Sequence, residues 1–201
     1  MLLGVKQRRG SRAKSKRPAM ILRSERLVLR PIEERDLEFI RELINDPAVE
    51  ATIVGWVLPL SAKDEQDWYR GFHNSNKEIR YMVETVNGET IGTTGLTDMD
   101  WKNGRCKGAG IRISPQVQSK GYASEAYTMM LDYAFNQLRF HKVSGSALET
   151  NKASLRFMEK VGYKVEGVLR DHVFKNGKYC NVVTTSILAE DFNRLHRPKM
   201  N

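Results

Sequence analysis

A chain of 201 residues, 40% apolar and 28% charged, has enough length to bury a sizeable core and is expected to fold as one globular domain. Its two cysteines, Cys106 and Cys180, lie far apart and lack metal-ligand spacing. They read as free thiols of a reducing, cytoplasmic setting rather than a disulfide framework. The net charge of +9 would suggest a nucleic-acid or membrane partner, but Lys6, Arg8, Arg9, Arg12, Lys14, Lys16 and Arg17 all fall within residues 1–19, where there is no acid. Without those seven the balance from Met20 onward is only +2.

The basic stretch contains no hydrophobic run, so neither a secretory signal nor a membrane span is expected there. It is too polar to bury surface and is read as a disordered extension over residues 1–20. A folded unit over 21–195 and a short tail at 196–201 complete the expected organisation. A nucleic-acid-binding arm is the alternative role for the extension.

From Arg26 to Pro31, "RLVLRP" alternates as a strand with Leu27 and Leu29 on one face. "EERDLEFIRELIND" follows, with Leu37, Ile40, Leu43 and Ile44 at helical spacing, and Pro47 is expected to end that helix. A second helix is expected from Ser61, as N-cap, through Trp68 toward Phe72, with Asp64 and Glu65 near its positive end. Three Asn-Gly pairs then mark hairpins with type I′ turns: Asn87-Gly88, Asn103-Gly104 and Asn176-Gly177. The first two share a strand, which predicts an antiparallel meander over about 79–114. Ala123, Ala126, Tyr127, Met130, Leu131, Ala134, Phe135 and Leu138 form the apolar face of a long helix. A strand at Lys142–Leu148 comes next. A further helix runs from Asn151, an N-cap, to Gly162, with Leu155, Met158 and Val161 on its buried face. The strand–helix–strand run over 107–148 makes its two strands parallel neighbours. The fold class expected is therefore mixed α/β, with helices on a mostly antiparallel central sheet.

The loop "QSKGYA", Gln118–Ala123, joins a strand to the N-terminus of the long helix. Unpaired N–H groups and the helix dipole make such a place an anion site. Gly121 allows close approach of the backbone and Lys120 adds charge. No Walker A or G-x-G-x-x-G pattern is present, so a diphosphate contact fits better than a nucleoside triphosphate or a dinucleotide.

This loop resembles the Q/R-x-x-G-x-G/A signature of the GNAT acetyltransferase superfamily. "Asn151-Lys-Ala-Ser-Leu-Arg-Phe-Met-Glu-Lys-Val-Gly-Tyr163" is similar to that superfamily's N-x-x-A/S…G-F/Y segment. "Glu166-Gly-Val-Leu-Arg170", "Phe174-Lys-Asn-Gly-Lys-Tyr179" and the opening "RLVLRP" resemble its RimJ/RimL-type branch, which includes ribosomal-protein N-terminal and polyamine acetyltransferases. The resemblance spans roughly residues 21–195. It implies a GNAT-like sheet with a splayed parallel pair of strands, and acetyl-CoA as cosubstrate without a metal. It also implies transfer of the acetyl group to a primary amine (a protein N-terminus, a polyamine or another small amine) by direct attack in a ternary complex.

The implied cofactor contacts are Gln118, Ser119, Lys120, Gly121, Tyr122 and Ala123 for the pyrophosphate. Ile111, Arg112 and Ile113 of the strand Gly108–Ser114 serve the pantetheine arm, with Asn151 and Ser154 beside it. Gly108 and Gly110 fit a bulge or a close ligand approach there. Glu149, at the end of the following strand, is the candidate base, with Glu84, Asp98 and Asp100 as rivals; a carboxylate is a weak base unless burial or a water relay helps it. Many family members place a donor tyrosine four residues before the helix-ending glycine, where this chain has Met158, so Ser154 is the candidate acid. Proximity with protonation by water is the alternative. The four histidines show no paired metal spacing. A polyamine acceptor would need an acidic pocket, for which Glu33, Glu34, Asp64, Glu65 and Asp67 are candidates. A non-catalytic CoA-binding module and an RNA- or ribosome-associated protein tethered by the basic extension are the competing classes. The apolar late hairpin would suit a homodimer contact.

Overall fold

The computed structural model describes residues 20–55, 59–72 and 76–196. The basic extension over 1–19, His73 and the tail from 197 lie outside them. Eight strands form one sheet: β1 (Leu22–Arg23), β2 (Leu27–Pro31), β3 (Ile79–Thr85), β4 (Thr90–Asp100), β5 (Arg105–Ile113), β6 (Lys142–Leu148), β7 (Lys164–Lys175) and β8 (Lys178–Leu188). Six α-helices accompany them: α1 (Leu37–Asn45), α2 (Pro47–Glu50), α3 (Ala62–Phe72), α4 (Tyr122–Asn136), α5 (Lys152–Val161) and α6 (Ala189–His196). The sheet order is β1-β2-β3-β4-β5-β6-β8-β7, and β5–β6 is its parallel pair. The fold is the expected mixed α/β arrangement.

Helix α1 buries Ile40 and Leu43 as its periodicity predicts. Ser61 and Asp64 exchange hydrogen bonds at the start of α3: the Asp64 N–H donates to Ser61 Oγ at 3.2 Å and the Ser61 N–H to Asp64 Oδ2 at 2.9 Å. The first helix ends ahead of Pro47 as expected: α1 stops at Asn45, and Asp46 before the proline is extended. Pro47 also opens α2, where a missing N–H costs nothing and Asp46 caps from outside. One expectation fails at the turns. Of the three Asn-Gly hairpins only Asn176-Gly177 has positive φ at both residues (49° and 78°), as type I′ demands. The other two close through longer loops, in which glycine alone takes the left-handed conformation.

The main core lies between the sheet and α4, α5 and α6, around Leu29, Val83, Met130, Leu131, Val143 and Phe192. On the opposite face Ile32, Ile40 and Met82 pack with Trp68 and Tyr69 under α1 and α3. Val165, Val168, Leu169, Phe174 and Tyr179 of the late hairpin are exposed.

Two features of β5 prepare the site. Its pairing with β6 runs only from Arg105–Lys142 to Lys107–Ser144. Beyond that point β5 follows β4 to Ile113 while β6 follows β8 to Leu148, so a gap opens between two parallel strands. At the same point β5 bulges: Thr94 faces Ile111 and Leu96 faces Gly108, leaving one extra residue on β5, with Gly110 at φ +77°.

Gly108 flanks the bulge, one of the two roles expected of it, and also admits a close contact within the protein. A Cβ there would stand 2.0 Å from the Tyr127 hydroxyl, which is buried and hydrogen-bonded to the Tyr163 hydroxyl at 3.0 Å. The glycine makes room for this phenol pair beneath the opening of the gap. Gly108→Ala is expected to destabilise the protein by about 1–3 kcal/mol through overpacking, seen as a melting temperature lowered by several degrees. The same change in a Tyr127→Phe background should cost less, because the clashing oxygen is gone. Equal costs in both backgrounds would refute this account.

Candidate active site

Because β5 and β6 run parallel, their C-terminal ends lie on one edge of the sheet, and α4 and α5 both begin there. The loop into α4 starts with a 3-10 turn at Pro115–Val117. Gln118 then donates its Nε2 to the Ile113 carbonyl at 3.1 Å, tying the loop to the end of β5. Ser119 (φ 63°) and Gly121 (φ 81°) are left-handed on either side of Lys120, an alternation that turns successive N–H groups toward one point as an anion nest. From Ser119 to Ser124 no backbone N–H bonds to any described residue; the first helical bond is Glu125 N–H to Gly121 O at 3.2 Å. A diphosphate fits this donor set and the positive end of a helix of 15 residues.

Arg26 completes the loop, a role the sequence did not suggest. It lies just before β2, yet its Nη1 donates to the Lys120 carbonyl at 3.2 Å and its Nε to Glu125 Oε2 at 2.7 Å. Its guanidinium stands 5.1 Å from the centroid of the Tyr122 ring, and Nη2 is 3.6 Å from where a Gly121 side chain would begin. Ser24 Oγ donates to Glu125 Oε1 at 2.6 Å and Arg26 pairs with the same carboxylate, so the acid in the first turn of α4 is neutralised and does not oppose an anion at the nest.

The gap is edged by Gly108–Ile113 on one side and by the end of β6 on the other. Ile111 and Ile113 turn into the core under α4, so Arg112 between them points to the opposite face. Asn151 caps α5: its Oδ1 accepts from the Ser154 N–H at 2.9 Å, while its Nδ2 donates to the Thr52 carbonyl at 3.0 Å. The side-chain amide is thereby engaged at both ends. Ser154 is half-buried in the first turn of α5, and its hydroxyl has no partner among the described residues.

Glu149 follows β6 and is half-buried. Its Oε2 accepts from Asn181 Nδ2 at 2.9 Å, and the Asn181 Oδ1 accepts the Asp171 N–H at 2.9 Å. Asn181 thus pins the carboxylate to the bulge of β7. The rival acids are placed otherwise. Glu84 is bound to Arg30 at 2.6 Å. Asp98 pairs with Lys107 at 2.9 Å and Asp100 with Arg105 at 3.0 Å, both at the closed end where β5 and β6 still pair.

Met158, at the position of the family's tyrosine, is buried with its sulfur 3.4 Å from Thr185 Oγ1. Burial pushes Tyr127 up to about 12 and also raises Tyr163, so both phenols hold their protons at neutral pH. Burial likewise pushes the Cys106 thiol up to about 12, which removes it as a nucleophile.

The acids expected to line a cationic pocket are not gathered into one. Asp64 caps α3 with Ser61, Asp67 pairs with Lys63, and Glu65 is buried, which raises its carboxyl above the usual range. Glu33 and Glu34 share a shallow cavity of about 400 Å³ with Arg35.

A nest of unpaired N–H groups at a helix entrance thus lies beside a gap between diverging parallel strands, the arrangement that the resemblance to acyl-CoA-dependent transferases implies. The acetyltransferase (GNAT) domain family profile matches residues 26–164, and the chain belongs to that family. It is 30% identical over 170 residues to the spermidine N(1)-acetyltransferase of Escherichia coli K12, covering 84% of this chain and 89% of the relative. A putative ribosomal N-acetyltransferase of Bacillus subtilis is 26% identical over 176 residues, covering 84% of this chain and 94% of the relative. The crystal structure of spermidine N-acetyltransferase from Vibrio cholerae in complex with CoA and spermine superposes with a TM-score of 0.79 at 29% identity, over 84% of this chain and 99% of that one. The protein is an acetyl-CoA-dependent N-acetyltransferase. Among the described residues no helix is long and apolar enough to cross a membrane.

Proposed function

We propose that this protein acetylates a primary amine by direct attack within a ternary complex, as a RimJ/RimL-type member of its family. The observation that carries the reading is the run of unpaired N–H groups from Ser119 to Ser124 on the same sheet edge as the gap and Glu149. Acetyl-CoA supplies the activated acetyl group. The nest and Arg26 hold its diphosphate, and the β5 backbone over Ile111–Ile113 guides the arm into the gap. Glu149, oriented by Asn181, accepts a proton from the incoming amine. Ser154, at the positive end of α5, relays a proton from solvent to the departing thiolate and so keeps its own hydroxyl proton count unchanged. Holding both reactants in one cleft supplies much of the remaining acceleration.

Similarity to spermidine N-acetyltransferases and to a putative ribosomal N-acetyltransferase supports an amine acceptor. The scattered acids before α1 and on α3 give a polyamine no prepared pocket and favour no particular amine. The test is release of free CoA thiol from acetyl-CoA with a panel of primary amines. Amine-dependent release, with no acetylated protein accumulating when amine is omitted, is the expected result. Acetyl-CoA binding without stimulation by any amine would favour a non-catalytic module, and an acetyl-enzyme would exclude direct attack.

A further inference from the structure

Arginines on the sheet face opposite α4 are not treated alike. A cross-strand row runs Arg30–Met82–Thr93–Arg112 over β2, β3, β4 and β5. Arg30 also buries its Nε without an acceptor, but its charge is neutralised by Asp36 and Glu84, each at 2.6 Å. Arg80, on the same face of β3, is paired with Glu78 at 2.9 Å. Arg112 makes no hydrogen bond or ion pair with the described residues, and its Nε is buried without an acceptor. Burial, and after it the charge of Arg80, draws Arg112 below the usual arginine value, as befits a cation with no anion beside it.

A buried N–H without an acceptor and a charge without a counter-charge are both costly, and a ligand that completes them accounts for their retention. Arg112 lies on the part of β5 that has already left β6, so it borders the gap on the face away from the helix that holds the cosubstrate's diphosphate. A planar guanidinium fork matches a carboxylate with two parallel hydrogen bonds. We infer that Arg112 recognises an anionic group on the acceptor, so that the amine acetylated here carries a carboxylate, as a free amino acid or an acidic peptide N-terminus does. A polycation such as spermidine would instead bring its charge against an arginine that nothing neutralises. The inference rests on the N-acetyltransferase reading above and narrows its substrate class.

The test compares acceptors that differ only in the anion. CoA release by the full chain is measured with an α-amino acid, the corresponding amino-acid amide, a short peptide beginning with aspartate, and spermidine. The expected result is a kcat/KM for the carboxylate-bearing amine about tenfold or more above that of its amide. In Arg112→Met that preference collapses, and in Arg112→Lys, which keeps the charge but loses the fork, it falls between. The Lys variant serves if the Met variant fails to fold. Preference for the free amino acid over the peptide, or the reverse, identifies the source of the carboxylate. Three results would overturn the inference while leaving amine acetylation standing: spermidine as the best acceptor, an amide used as well as its acid, or Arg112 variants that weaken acetyl-CoA binding and leave the preference intact. Absence of turnover with every amine would remove both.

Discussion

Gly121→Glu should weaken acetyl-CoA binding by about a hundredfold or more, a loss of about 3 kcal/mol, measured calorimetrically on protein that still melts cooperatively. Two costs combine. Gly121 sits at φ +81°, where a side chain pays about 1–2 kcal/mol. The new carboxylate would also enter the space toward which the Ser119–Ser124 N–H groups point, and compete for Arg26. Room is not the difficulty, since the nearest atom to a Cβ is Arg26 Nη2 at an ordinary 3.6 Å. Gly121→Asn separates the two costs. Asparagine tolerates the left-handed conformation and brings no charge, so it should retain most of the affinity. If the Glu variant binds acetyl-CoA as well as the parent, the nest is not the diphosphate site.

Glu149→Gln is expected to lower kcat by about a hundredfold or more without changing acetyl-CoA affinity. The substitution preserves shape, and glutamine can still accept the Asn181 Nδ2–H through its own carbonyl oxygen. What disappears is the ability to take a proton. Asn181→Ala leaves the carboxylate but frees it from the β7 bulge, and should give a smaller kcat loss. An unchanged kcat in Glu149→Gln would move the proton acceptor elsewhere. The acids at Glu84, Asp98 and Asp100 are poor replacements, because each is committed to a cation.

Local signals in this chain were faithful wherever the physics is local. The α4 face was readable from 3.6-residue periodicity, since each apolar residue there meets the same core. The anion loop was readable because a glycine before a helix and a run of free N–H groups depend on neighbours in sequence alone. Asn151 as cap and Gly162 as stop follow from the same short range. Even the errors were local in kind: each Asn-Gly pair marked a hairpin, but turn type depends on loop length, which the dipeptide does not set.

Contacts between distant residues were decided by strand order, which periodicity does not encode. Insertion of β8 between β6 and β7 brings Asn181 to Glu149, 32 residues away. The turn before β2 reaches the start of α4 because that helix packs across the sheet from β5 to β2 and β1, which is how Arg26 joins a loop 94 residues downstream. Gly108 is legible in sequence as a bulge or close-approach glycine, but that the approach is made by Tyr127, paired with Tyr163, depends on α4 packing over β5. Arg112 was placed by sequence on a cofactor strand, but its lack of a partner depends on which acids the other strands bring near. Sequence by itself determined the elements and the anion loop, through interactions a few residues long. Tertiary structure alone decided which charges were neutralised and which were left to meet a substrate, because that sum runs over residues that share a face without sharing a neighbourhood in the chain.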